Sequence, residues 1–130
     1  MAHFKNILLV DDDPINNLIN KRLISKVNLG ESIDEFISGI LALDHITELS
    51  PEEPLLILLD INMPLMNGWE FLDHYAEKFA DRNDHIIILS SSIDFLDRLK
   101  AQEYPIVGGF LEKPLTIEKL REQLGEFMGE

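Results

Sequence analysis

Leu55-Leu56-Ile57-Leu58-Leu59-Asp60 is the stretch on which the fold turns. Five aliphatic residues run without a polar break, which is strand length and short for a helix. Ser50-Pro51-Glu52-Glu53-Pro54 makes a turn before them, and Asn62-Met63-Pro64-Leu65-Met66-Asn67-Gly68 makes a loop after them. The run reads as the strongest strand of the chain, and it ends on a carboxylate.

Working outward, the same design recurs. Ile7-Leu8-Leu9-Val10 is a strand running into Asp11-Asp12-Asp13. Pro14 suits the first turn of a helix, with Asp13 as its N-cap. Ile15, Leu18, Ile19, Leu23 and Val27 then recur at helical spacing until Asn28-Leu29-Gly30 stops the helix. Residues 32–37 form a weaker, edge-like strand, and Ile40, Leu43 and Ile46 a helix to about Leu49. Beyond the central strand, Leu72, Tyr75, Ala76 and Phe79 mark a helix. Ile86 to Leu89 is a strand ending on Ser90-Ser91-Ser92, and Leu96 and Leu99 carry another helix. Residues 108–112 form a last strand before Lys113-Pro114. Thr116 caps a final helix whose apolar positions are Ile117, Leu120, Leu124 and Phe127. Strand and helix alternate five times, which predicts βαβ units and a parallel sheet covered on both faces.

Four of the strands end in residues able to do chemistry: Asp11 and Asp12, Asp60, Ser90, and Lys113. All C-terminal strand ends of an open parallel sheet lie on one edge, where ligands bind. Topology would therefore gather residues about 50, 80 and 100 positions apart. Crowded carboxylates repel and call for a cation. Mg²⁺ suits an all-oxygen set and keeps some of its waters. A carboxylate nucleophile, a hydroxyl donor and an ammonium are what phosphoryl transfer needs, since it rests on positioning and charge stabilisation. Each residue alone has a plainer use, as helix cap, turn residue or solvated lysine. The joint pattern at four strand ends carries the inference.

The chain has 130 residues, room for one domain with a real core. Its net charge of −13 opposes contact with nucleic acid phosphates and anionic membranes. No cysteine is present, so disulfide and thiol chemistry are excluded. The N-terminus lacks the layout of a signal peptide, and no apolar run reaches the ~18 residues of a membrane span. The default location is cytoplasmic.

The motifs Leu8 to Asp13, Leu58 to Gly68, Ile88 to Ser91 and Gly109 to Pro114 together resemble the receiver domain of bacterial response regulators. The resemblance covers essentially the whole chain, and the run Asp60-Ile61-Asn62-Met63-Pro64-Leu65-Met66-Asn67-Gly68 is its most specific part. It implies a (βα)5 flavodoxin-like three-layer sandwich with a five-stranded parallel sheet of order 2-1-3-4-5. It implies Asp60 as phosphoacceptor, Asp12 as a direct Mg²⁺ ligand, Asp11 acting through water, and the Asn62 carbonyl completing the protein's share. Ser90 would be the switch hydroxyl, Lys113 the phosphoryl-contacting lysine, and Lys113–Pro114 a cis bond. Phe110 stands where the switch aromatic is often tyrosine, and Ser90 where threonine is frequent. A sensor histidine kinase or phosphotransfer protein would donate the group. Output would pass to another protein through the face of the fourth helix, fifth strand and fifth helix, decorated by Asp94, Asp97, Arg98 and Lys100. The expectation is one receiver over residues 1–130, with no effector domain after Gly129 and Glu130, acting as a switch rather than on a separate substrate. Two rivals are weighed. A haloacid-dehalogenase-like phosphatase would use Asp11 as nucleophile and Asp13 as acid/base. A degenerate receiver would bind proteins without accepting phosphate.

Overall fold

The structure is a computed structural model, and it describes residues 4–91 and 95–128. Ser92, Asp94, Gly129 and Glu130, singled out in the sequence, lie outside the described residues. The strands are β1 (Phe4–Val10), β2 (Gly30–Phe36), β3 (Leu55–Leu59), β4 (His85–Ser90) and β5 (Val107–Glu112). The helices are α1 (Pro14–Ser25), α2 (Gly39–Ile46), α3 (Gly68–Lys78), α4 (Phe95–Ala101) and α5 (Ile117–Leu124), with a 3-10 turn at Gly125–Phe127. All pairings are parallel, and the strand order is β2-β1-β3-β4-β5, as expected.

Residue alternation along the three inner strands makes two cores. Leu8, Val10, Ile57, Leu59, Ile86 and Ile88 face α2, α3 and the buried Ala101 of α4. Ile7, Leu9, Leu56, Leu58, Ile87 and Leu89 face α1 and α5. Strands buried on both faces have no polar side to show, which is why they read as unbroken aliphatic runs. The sheet is thus the middle of three layers, and its C-terminal edge is where polar residues emerge.

Helix starts follow local chemistry. The Asp13 carboxylate accepts from Ile15 N–H at 2.9 Å, and the Thr116 hydroxyl from Lys119 N–H at 3.1 Å. Both caps are as the sequence suggests. Ser38 caps α2.

Several elements differ from expectation: β1 starts at Phe4, and α5 ends at Leu124, with Phe127 in the 3-10 turn. β2 starts at Gly30 and ends at Phe36, because its pairing with β1 runs from Phe4 to Val10. α2 stops at Ile46, and turns bonded from Thr47 to Leu49 complete the segment. α1 presents a different face from its aliphatic stripe: Ile15, Leu18 and Ile19 are exposed, while Asn17, Asn20 and Ile24 are buried. Asn17 explains this. Its amide donates to the carbonyls of Asp11 (3.0 Å) and Phe36 (3.2 Å), closing the gap where β1 and β2 end. Buried backbone carbonyls must find donors, and that demand outweighs burying one more aliphatic side chain.

Candidate functional site

The strand ends bring the polar residues together as the topology requires. Asp11 follows β1, and its N–H donates to the Phe36 carbonyl at 3.0 Å. Asp60 follows β3, its N–H donating to the Val10 carbonyl at 2.9 Å. Lys113 follows β5, its N–H donating to the Ser90 carbonyl at 2.9 Å. The last ladder bonds of the sheet therefore fix these backbones, and a rigid edge aims their side chains inward.

Lys113 Nζ donates to Asp11 Oδ2 at 2.7 Å and lies 3.4 Å from Asp60 Oδ2. The other Asp60 oxygen accepts from Asn62 N–H at 3.2 Å. The Asn62 side-chain amide reaches Ser90 Oγ at 3.5 Å. Asp11, Asp60 and Ser90 are buried, and Asp12 is exposed beside them.

Electrostatics follow from this crowding. Burial pushes the Asp60 carboxyl above its ordinary range; the Lys113 charge opposes that, and the Asp11 charge adds to it. Burial alone would lower the Lys113 pKa. Its hydrogen bond to Asp11 and the charges of Asp60 and Asp11 more than offset that, so its pKa is raised. One ammonium thus sits against two buried acids, with a third acid at the mouth.

Asp11, Asp12 and Asp60 each offer a carboxylate oxygen, all within 4.8 Å of one another. An all-oxygen donor set of this charge fits a hard divalent cation. The two buried acids need more positive charge than one lysine supplies, so the donor chemistry and the electrostatics agree.

Residues 7–125 match the family model of the response regulator receiver domain. The chain belongs to that family. Its fold matches the crystal structure of a two-component response regulator from Cytophaga hutchinsonii, with a TM-score of 0.86 and 33% identity over 97% of this chain and 98% of that one. A response regulator receiver protein from Dyadobacter fermentans gives 0.83 and 31%, covering 95% and 97%. Among curated relatives, the probable C4-dicarboxylate response regulator DctR of Halalkalibacterium halodurans is 28% identical over 93% of this chain. The chain spans about half the length of that relative. This receiver is therefore a component of two-component phosphorelay signalling, the role for which its family is built.

Several further features of the receiver complete the picture. The Lys113–Pro114 bond is cis. Asp13 caps α1 through one carboxylate oxygen. Phe110 lies half-buried on β5 with the Arg98 guanidinium 5.6 Å from its ring centroid. Gly68 has a steric reason: a Cβ there would stand 2.7 Å from Ile61 Cα and 2.9 Å from the Asp60 carbonyl oxygen. Its N–H donates to the Ile61 carbonyl at 2.8 Å, so the start of α3 presses on the backbone that carries Asp60.

Sequence reasoning missed two sets of residues. One is Asn17, hidden because it stands among Asn16 and Asn20 in an amphipathic repeat, where asparagines look like surface. The other is the start of α3, where Asn67 and Glu70 form a reciprocal capping box. The spacing Asn67-x-x-Glu70 is a readable signal for it.

Proposed function

We propose that Asp60 accepts a phosphoryl group from a phosphohistidine of a sensor histidine kinase or phosphotransfer protein, in a Mg²⁺-dependent reaction, and that this switches a protein-binding face. The observation that carries the reading is the Lys113 ammonium lying across Asp11 and Asp60 at 2.7 and 3.4 Å, with Ser90 and Asn62 alongside.

A carboxylate oxygen of Asp60 attacks phosphorus in line. The new O–P bond forms as the donor's N–P bond breaks, and the imidazole leaves with the electron pair. Lys113 shifts from carboxylate to phosphoryl oxygen, keeping its charge paired. Ser90 Oγ donates a hydrogen bond to another phosphoryl oxygen. Asp11, Asp12, Asp60 and the Asn62 carbonyl would hold Mg²⁺, which when bound supplies the positive charge that lets a phosphoryl group approach these acids. Water cleaves the acyl phosphate and resets the switch. Asp60 is thus a modified side chain that assists its own turnover, and the protein is not an enzyme acting on a separate substrate.

Movement of Ser90 and Lys113 is passed to α4, β5 and α5, whose exposed surface would meet the partner, with Phe110 changing position. Protein is the favoured partner, because a net charge of −13 opposes nucleic acid. No helix among the described residues is long and apolar enough to cross a membrane. A cytoplasmic location fits both.

Intact mass after incubation with acetyl phosphate tests this. One added phosphoryl group that requires Mg²⁺ and is lost in Asp60→Asn is the expected result. An adduct in Asp60→Asn at wild-type level, or none in the wild type, would contradict it.

A further inference from the structure

Among the described residues, α4 buries fewer side chains than any other α-helix. It is 7 residues long, and Ala101 alone among them is buried. Phe95, Leu96 and Leu99 are exposed. Its C-terminal end is held by contacts to α3. Lys100 Nζ stands 5.2 Å from the centroid of the Trp69 ring. Tyr104, in the turn after α4, stacks on the same ring, with centroids 5.7 Å apart and planes at 25°. The Tyr104 hydroxyl donates to Asp73 Oδ1 at 2.9 Å. Trp69 and Asp73 are one helical turn apart, so α3 offers both to the same neighbour.

Trp69 is a buried member of the core and Tyr104 packs against that core, while Asp73 and Lys100 are exposed. The exposed ends of these contacts, the Lys100 ammonium and the Tyr104–Asp73 hydrogen bond, contribute modestly each, so they can part while the Trp69 ring stays in the core. Burial, with the Asp73 hydrogen bond, pushes the Tyr104 hydroxyl up to about 12, so it stays a donor at neutral pH. Phe110 has no hydroxyl to report the state of the site. The chain has two tyrosines, and the hydroxyl of Tyr75 is engaged with Asp84. Tyr104 therefore holds the aromatic hydroxyl beside α4 and β5. Ser90, which ends the strand leading to α4, lies only five residues before Phe95.

We propose that Trp69, Asp73, Lys100 and Tyr104 form a clasp that holds the end of α4 and the turn to β5 on α3 while Asp60 is an unmodified carboxylate, and that a phosphoryl group on Asp60 opens it. This rests on the phosphoacceptor reading and adds what opposes the switch. A clasp made only in the unmodified state lowers the fraction of chain competent to hold the phosphoryl group, and so weakens apparent affinity for it.

The test is titration with beryllofluoride and Mg²⁺, read by ¹⁹F NMR, on the wild type, Tyr104→Phe, Asp73→Ala and the double variant. Emission of Trp69, the only tryptophan, is followed in parallel. Each single variant is expected to bind roughly threefold to tenfold more tightly, the effect of losing one hydrogen bond from the unmodified state. The double variant should bind no more tightly than the better single, because both remove the same bond. Unchanged or weaker binding in both single variants, with native circular dichroism and melting, would overturn the clasp. A wild type that binds no beryllofluoride would contradict the phosphoacceptor reading and the clasp with it.

Discussion

At the scale of single residues, the site is a balance of buried charge. Asp60 has a folded-state pKa above its unfolded value, so the folded chain binds its proton more readily. Ionised Asp60 therefore costs stability above that pKa, and the cost falls away as pH drops through it. Asp60→Asn is expected to melt at a higher temperature than the wild type at pH 7, with the gap closing as pH falls. Thermal melts of both proteins across pH check this. Lys113 has the opposite role: its raised folded-state pKa gives stability that is present below the unfolded value and lost only as pH rises through the folded one. Gly68 is a purely steric case. Gly68→Ala would force Cβ onto the backbone of Asp60 and Ile61, at 2.9 and 2.7 Å, and should cost ~1–3 kcal/mol in chemical denaturation while slowing phosphoryl uptake. Leu65 shows the reverse tolerance. It holds a φ of 67° and is 95% exposed, so the loop's path and not packing sets its conformation.

At the scale of elements, the edge opposite the site has its own fastening. Arg82 and Asp84, with side chains 4% and 1% exposed, pair at 2.8 Å between α3 and β4. Arg82 also donates to the carbonyls of Leu49 and Glu53, and Asp84 accepts from Leu55 N–H and the Tyr75 hydroxyl. Burial, followed by the hydrogen bond to Asp84, pushes the Tyr75 pKa far up. This network pins the start of β3, the strand that delivers Asp60. Asp84→Ala would strand a buried guanidinium and should cost about 3–5 kcal/mol, lowering the melting temperature by roughly 10 °C or more. No pattern in the sequence announces it, because Leu49, Glu53, Tyr75 and Asp84 meet only once the fold exists. What was legible were the aliphatic runs at Ile7, Leu55 and Ile86, since a strand buried on both faces has no other composition open to it. The exposed aliphatics of α1 were illegible for a matching reason. Helical period locates a helix, but which face turns inward was decided by the amide of Asn17 and its two carbonyl partners. The site itself was more legible than α1, because Asp11, Asp60, Ser90 and Lys113 all lie at the ends of readable strands.

At the scale of the whole molecule, strand order does the assembling. Lys113 meets Asp11 across 102 residues and Asp60 across 53, because β1, β3, β4 and β5 all end on one edge. Much of the site's cost is electrostatic, so a cation there should stabilise the entire fold. Millimolar Mg²⁺ is expected to raise the melting temperature of the wild type by an amount that grows with RT ln(1 + [Mg²⁺]/Kd), and to have little effect on Asp12→Ala. An equal rise in both proteins would place the cation elsewhere. The central claim is that Asp60, and no other acid of the cluster, carries the phosphoryl group. Its most direct test is to treat the acetyl-phosphate-labelled protein with borohydride, which reduces an acyl phosphate to the alcohol, and to locate the resulting homoserine by peptide mass spectrometry. Homoserine at position 60 is the predicted result. Homoserine at position 11, or at neither position despite a full load of phosphate, would contradict the account.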